Sequence, residues 1–297
     1  MISRRQLLQA ASIGLAGFGV IGRAGFVRAA AMSQEQFATE LQRLERDSGG
    51  RLGVVLLDTA TGKRAGHRMD ERFPMCSTFK VLAASAILHN VDAGKESLER
   101  RVYFNETDLV TYSPETKKHV GPSGMTIAEL CKAAITLSDN TAGNLLLASI
   151  GGPKGFTDFA RSLGDKMTRL DRIETALNEA LPDDPRDTTT PNAMASDLQS
   201  LVLGKTLSAK SRAQLVEWLA ANTTGGKRLR AGLPTGWHVG DKTGTGDRGT
   251  ANDIAVIWPT GRAPVIVTVY LTGATASADQ QSAVIAGVGR AVGAVLT

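Results

Sequence analysis

The chain has 297 residues, 42% of them apolar, with 34 Lys and Arg against 29 Asp and Glu and a formal charge of +5. That is enough chain to bury a substantial core and to form two subdomains. Four of the positive charges (Arg4, Arg5, Arg23 and Arg28) fall in residues 1–31, which contain no acid, so the remainder carries only about +1 and gives no reason to expect a nucleic-acid partner. His67, His89, His119 and His238 show no metal-ligand spacing, and the sequence contains no phosphate-binding loop or internal repeat; neither a metal nor another cofactor is expected.

The chain begins Met1-Ile2-Ser3-Arg4-Arg5-Gln6-Leu7-Leu8, a paired arginine ahead of a weakly apolar, glycine-rich stretch that runs to about Gly22. Ala29-Ala30-Ala31 supplies an Ala-x-Ala cleavage site. The apolar run is shorter than the ~20 residues a membrane span needs. Residues 1–31 therefore read as a twin-arginine leader cut near Ala31, which predicts export to the periplasm or the exterior and no membrane association afterwards. No cysteine lies in this segment to carry a lipid. Because twin-arginine export moves folded proteins, disulfides are optional.

Residues 33–47 have the spacing of an amphipathic helix. Leu52–Asp58, a Thr61-Gly62 turn and Arg64–Arg68 read as a hairpin. From Ser77 to about Gly226 the pattern is mainly helical, interrupted at Gly94, Gly121-Pro122, Gly151-Gly152-Pro153 and Pro191. Three strand-like runs follow, Trp237–Thr243, Asp253–Trp258 and Pro264–Leu271, and then a helix from about Asp279. Strands at both ends of a chain can meet in one antiparallel sheet flanked by the terminal helices.

The chemistry begins at Pro74-Met75-Cys76-Ser77-Thr78-Phe79-Lys80. A serine hydroxyl becomes a nucleophile only with a base in reach, and i,i+3 spacing puts Ser77 and Lys80 on one helix face. The apolar run Val81–Leu88 makes that helix a buried one. Its first amides lack internal partners, so the backbone at Ser77 is also suited to hold an oxyanion. Alone, Ser-x-x-Lys is equally the sequence of a capping serine followed by a surface lysine. Ser138, between an apolar helix and an Asp139/Asn140 cap, is open to the same plain reading.

Ser77-Thr78-Phe79-Lys80, Ser138-Asp139-Asn140 and Lys242-Thr243-Gly244 occur in this order, with Glu174-Thr175-Ala176-Leu177-Asn178 before the last. The set resembles class A serine β-lactamases, within the superfamily that also holds penicillin-binding proteins and serine transpeptidases; this is a likeness of motifs, not a deduction from spacing. It covers essentially the whole of the chain after the leader. It implies an α/β (α+β) fold of two subdomains: a five-stranded antiparallel sheet with its terminal helices, from residues 32–76 and 227–297, beside an all-helical part, 77–226. The active site would lie in the cleft between them.

By the same resemblance, Ser77 attacks the β-lactam amide, and the backbone N–H groups of Ser77 and Thr245 form the oxyanion hole. Ser138 relays a proton to the leaving nitrogen, and Asn140 binds the acylamide side chain. Lys242, Thr243, Thr245 and Ser138 form the carboxylate pocket, and Tyr112 lines the cleft mouth. Residues 169–187 match the Ω-loop, in which Glu174 and Asn178 hold the deacylating water and Arg172 pairs with Asp187. The base for acylation, Lys80 or Glu174, stays open. Many relatives carry a carboxylate-binding arginine on the strand after Lys-Thr-Gly, but Thr250-Ala251-Asn252 holds none, and Arg228 matches the place from which other members supply it. The plain alternative is a solvated charge in the cluster Lys227-Arg228-Leu229-Arg230.

Some relatives bridge the Cys131 position to the one held here by Ala84, and others bridge the Cys76 position to the one held by Gly246. Cys76 lies about 12 Å along the helix from Ala84, beyond the ~7 Å reach of a disulfide, so two free thiols are expected. The expected protein is an exported monomer that confers β-lactam resistance and meets penicillins, cephalosporins and clavulanate-type inhibitors. The alternatives are a low-molecular-weight penicillin-binding protein or DD-peptidase, and a non-catalytic β-lactam sensor domain. Neither needs the Glu174/Asn178 pair.

Overall fold

Five strands form the central sheet of the computed structural model, which describes residues 31–297. The leader expectation falls on residues outside that range, except for Ala31. In chain order the elements are α1 (Gln34–Ser48), β1 (Arg51–Asp58), β2 (Arg64–His67), β3 (Phe73–Pro74), α2 (Phe79–Asp92), β4 (Arg101–Val102), β5 (Met125–Thr126), α3 (Ile127–Thr136), α4 (Asn140–Ser149) and α5 (Gly152–Ser162). They continue with β6 (Thr188–Thr189), α6 (Pro191–Leu198), α7 (Ala209–Ala220), α8 (Leu229–Gly232), β7 (His238–Gly246), β8 (Thr250–Trp258), β9 (Val265–Thr272) and α9 (Ala278–Leu296). The sheet order is β2-β1-β9-β8-β7, antiparallel throughout, as the sequence led us to expect. Two-residue pairings, β3 with β6 and β4 with β5, were not readable as strands because each is defined by a partner distant in the chain.

Alternation along the strands builds two cores. In β9, Val265, Val267, Val269 and Leu271 face one way and pack with Phe37, Leu41 and Leu44 of α1 and Ile285, Val288 and Val292 of α9. Ile266 and Tyr270 face the other way, into a larger core with α2, α3 and α6. β-branched residues on a period of two suit a sheet buried on both faces. The flanking helices start at side-chain caps: Ser33 and Gln36 form a reciprocal capping box on α1, Ser277 and Gln280 on α9, and Thr126 and Glu129 on α3.

Gly53 of β1 decides how closely the helical layer meets the sheet. A Cβ there would lie 2.4 Å from the Phe73 ring and 2.9 Å from Pro191. Only a missing side chain lets both pack on the strand. On the same face Thr268 Oγ1 donates to the Pro191 carbonyl at 2.9 Å, pinning the start of α6. Cys76 and Cys131 are both free and fully buried.

Candidate active site

Ser77 does not sit in the first turn of an α-helix. It lies in a 3₁₀ turn, Cys76–Thr78, that leads into α2, and Cys76 before it adopts a left-handed φ of 45°. The tighter turn still brings Lys80 under the hydroxyl: Lys80 Nζ donates to Ser77 Oγ at 2.9 Å. The same ammonium donates to the Ser138 carbonyl at 3.0 Å and to Asn140 Oδ1 at 2.6 Å, and pairs with Glu174 Oε1 at 2.9 Å. Room for this comes from Gly143 of α4, where a Cβ would stand 2.8 Å from Lys80 Cε. Lys80 is therefore no surface lysine. Burial drives its pKa down, against the pull of the Glu174 carboxylate.

Glu174 approaches from the Ω-loop. Ser77 Oγ donates to Glu174 Oε1 at 3.1 Å, and Asn178 Nδ2 donates to Oε2 at 2.5 Å. The peptide bond between Glu174 and Thr175 is cis. Asn144 of α4 grips the Glu174 backbone at both ends, accepting its N–H at 2.8 Å and donating to its carbonyl at 2.9 Å. Asn178 Oδ1 is buried and has no hydrogen-bond partner in the protein. That leaves one unpaired acceptor beside the carboxylate.

The loop is closed by charge. Arg172 Nε bonds Asp187 Oδ2 at 2.5 Å and Nη1 bonds Glu179 at 2.7 Å. Asp187 Oδ1 accepts the backbone N–H groups of Asp171 and Arg172 at 2.7 and 2.9 Å. The Asp187 carbonyl takes the N–H of Met75 at 2.9 Å, so the end of the loop is tied to the segment that carries Ser77.

The opposite wall is β7. Lys242 is fully buried, donating to Ser138 Oγ at 3.0 Å and to the Thr243 carbonyl at 2.7 Å. Burial, and then repulsion from Lys80, push its pKa well down. Ser138 is held with a left-handed φ of 60° between α3 and α4, which places its hydroxyl on Lys242 and its carbonyl on Lys80. Asn140 donates to the Thr111 carbonyl at 2.8 Å, tying α4 to the loop that presents the exposed Tyr112.

Arg228 is not a solvated member of a basic cluster. Lys227 reaches Asp279 and Arg230 reaches Asp241, whereas Arg228 turns into the cleft wall. Its Nη1 donates to the carbonyls of Gly244 and Asn252 at 2.7 and 2.6 Å, and its Nη2 donates to Thr245 Oγ1 at 2.7 Å. Burial lowers its pKa.

A cleft of about 330 Å³ opens between these walls, lined by Ser77, Tyr112, Ser138, Asn140, Asn178, Arg228, Thr243 and Thr245, all singled out from the sequence. Lys80, Glu174 and Lys242 lie behind the lining. Two contributors were not foreseen. Thr224 lines the cleft with its hydroxyl on Thr243 Oγ1, a contact without a sequence signal. Asn144 stands one helical turn after Asn140, a spacing that could have flagged it. Among the described residues no cluster of His, Cys, Asp and Glu could hold a metal ion. The arrangement can activate a hydroxyl, neutralise an anion and place a carboxylate beside an ester.

A profile described as the β-lactamase enzyme family matches residues 36–296. The chain belongs to this family, in class A. β-Lactamase CTX-M-8 of Citrobacter amalonaticus is 53% identical over 253 residues, spanning 85% of this chain and 87% of that protein. β-Lactamase AST-1 of Nocardia asteroides is 50% identical over 266 residues, spanning 90% and 84%. The solved structure of a reconstructed last common ancestor of Gram-negative class A β-lactamases superposes with a TM-score of 0.87 at 63% identity, covering 88% of this chain and 99% of that one. The five-stranded sheet and its helical layer are thus the class A fold.

Proposed function

We propose that this class A β-lactamase hydrolyses the strained amide of penicillins and cephalosporins through an ester on Ser77. Ser77 Oγ adds to the lactam carbonyl as its proton leaves toward the Lys80/Glu174 pair, and the backbone N–H groups of Ser77 and Thr245 receive the oxyanion. Ser138, set between Lys80 and Lys242, passes a proton to the departing nitrogen. Lys242, Thr243, Thr245 and Arg228 hold the substrate carboxylate, and Asn140 and Tyr112 meet its side chain. A water on Glu174 and Asn178 then cleaves the ester and regenerates Ser77.

One observation carries the hydrolytic half: the Glu174 carboxylate is 3.1 Å from the nucleophile, with Asn178 beside it offering an unused acceptor. A penicillin-binding protein or a sensor domain stops at the acyl-enzyme and needs no such pair. The test is turnover of nitrocefin and imipenem by residues 32–297, together with the mass of Glu174→Gln after penicillin treatment. Loss of general-base catalysis should cost about 10²–10⁴-fold in turnover and leave an adduct on Ser77. An adduct also shows that Lys80 suffices for acylation; an unmodified protein makes Glu174 the acylation base as well. Wild-type stalling at the adduct would return the chain to the penicillin-binding reading.

We further propose that residues 1–31 direct twin-arginine export to the periplasm, that the mature protein is a monomer conferring resistance, and that clavulanate-type inhibitors acylate the same serine. Replacing Arg4 and Arg5 by lysine should leave activity in the cytoplasmic fraction. Undiminished periplasmic activity would refute that route.

A further inference from the structure

Two successive residues of the β7–β8 turn grip two successive carbonyls of the Ω-loop. The Asp247 N–H donates to the Asn178 carbonyl at 2.9 Å, and Arg248 Nη1 donates to the Glu179 carbonyl at 2.8 Å. Arg248 does this from a left-handed backbone, φ 51°, followed by Gly249 at 63°, in a turn closed by Thr250 N–H to Asp247 O at 3.1 Å. That conformation is disfavoured for an arginine, and backbone strain beside a reaction centre points to a task. β7 is also close at this point: a Cβ on Gly246 would lie 2.8 Å from the Asn178 carbonyl.

What the grip holds is the hydrolytic end of the site. Asn178 belongs to a single 3₁₀ turn, Ala176–Asn178, and its carboxamide rests on Glu174 Oε2. Asn144 fixes Glu174 from the α4 side, but its bonds stop at residue 174. The far side of the turn is held from β7–β8 by its two carbonyls and from Arg172 by the Glu179 carboxylate. The hydrogen bond of the Arg248 guanidinium goes to Glu179 and not to Ser77, Lys80, Ser138 or Lys242.

We propose that Arg248 is a positioning residue for deacylation: through the Glu179 carbonyl it keeps the Asn178 carboxamide in register with Glu174, and so places the attacking water. The proposal rests on the reading of Glu174 and Asn178 as the hydrolytic pair. It separates the two half-reactions when Lys80 is the acylation base: the Asn178 carboxamide that Arg248 keeps in place then serves only the hydrolytic water, and small misplacement of a nucleophile is costly in rate.

Arg248→Gly and Arg248→Asn test it, since glycine and asparagine both accept the left-handed turn and neither reaches Glu179. Both variants should melt close to the wild-type temperature, because relief of the left-handed strain offsets the lost bond. Single-turnover acylation by benzylpenicillin should stay within twofold, while kcat falls about tenfold and the acyl adduct on Ser77 accumulates. Arg248→Lys, which keeps a donor, should recover part of kcat. A folded Arg248→Gly with wild-type kcat and no adduct overturns the proposal, as does an equal fall in acylation and deacylation. Wild-type protein that fails to turn over benzylpenicillin, measured first, overturns the hydrolytic reading and the proposal with it.

Discussion

Ser77 Oγ is the one atom on which Lys80 and Glu174 converge, at 2.9 and 3.1 Å. Ser77→Ala therefore removes a covalent pathway and not a single contact. Nitrocefin turnover should become undetectable, with an unchanged far-UV spectrum; a folded, active alanine variant would end the acyl-enzyme scheme. Arg228 is a subtler case because it also braces two strand carbonyls. Losing a charge-assisted bond worth about 1.5–3 kcal/mol should lower kcat/KM for penicillins roughly 10- to 150-fold. Unchanged kinetics for both benzylpenicillin and clavulanate would make Arg228 purely a brace.

Far from the cleft, Asp197 on α6 is buried against Asp165, and its Oδ2 has no hydrogen-bond partner. Burial, then the Asp165 carboxylate, push its pKa up to about 9, with Arg161 opposing. An unfolded aspartate titrates near ~4. Between those values the folded state binds a proton that the unfolded state has released, so stability is full below about pH 4 and is lost as pH rises toward 9. Asp197→Asn should melt higher than wild type at pH 8, with the gap closing near pH 4. Calorimetry showing an equal difference at both pH values would refute a protonated Asp197.

At the scale of elements the Ω-loop is the least self-sufficient part, held by Asp187 at its neck. Asp187→Ala strands two backbone N–H groups and takes from Arg172 its buried carboxylate partner, leaving it only the more exposed Glu179 and Asp184. Breaking a buried pair from one side typically costs about 3–5 kcal/mol. Limited proteolysis should cut within 172–186 before global unfolding, and acyl-enzyme should accumulate. A loop as protease-resistant as wild type would show that the Asn144 and Met75 ties suffice.

Much of this site was legible because each motif is local. Ser77 and Lys80 are one turn apart, Ser138 and Asn140 bracket a cap, and Lys242 lies in a run that reads as a strand. What escaped depends on partners distant in sequence. Nothing near Arg248 announces Glu179, and nothing in Thr224 announces Thr243. Arg228 was placed by resemblance, but its two strand carbonyls were invisible until β7 and β8 were paired. The 3₁₀ turn at Ser77 and the left-handed Cys76 are likewise set by packing beneath α2, not by propensity.

Across the whole molecule, the join between sheet and helices is set at Gly53. Gly53→Ala would drive a methyl into Phe73, and overpacking of this kind costs about 1–3 kcal/mol. Urea denaturation should show a lower midpoint with an unchanged slope. An unaltered midpoint would mean that Phe73 and Pro191 can move aside. The fully buried thiols offer a second gauge: burial raises the pKa of both Cys76 and Cys131, so thiol reagents should label them only at the rate of global opening.

The order β2-β1-β9-β8-β7 leaves the sheet with two margins, and a bare margin is an invitation to another chain. One is the four-residue β2, bearing Arg64 and His67, too short and too polar to template a partner. The other, β7, lines the reaction cleft with Thr243 and Thr245, and its Thr243 and Gly244 carbonyls already accept from Lys242 and Arg228, so less of that margin is left to recruit a neighbouring strand. Catalysis and colloidal solubility are on this view served by the same edge. Sedimentation at millimolar concentration should show a single monomeric species, and covalent occupancy of Ser77 should leave it so.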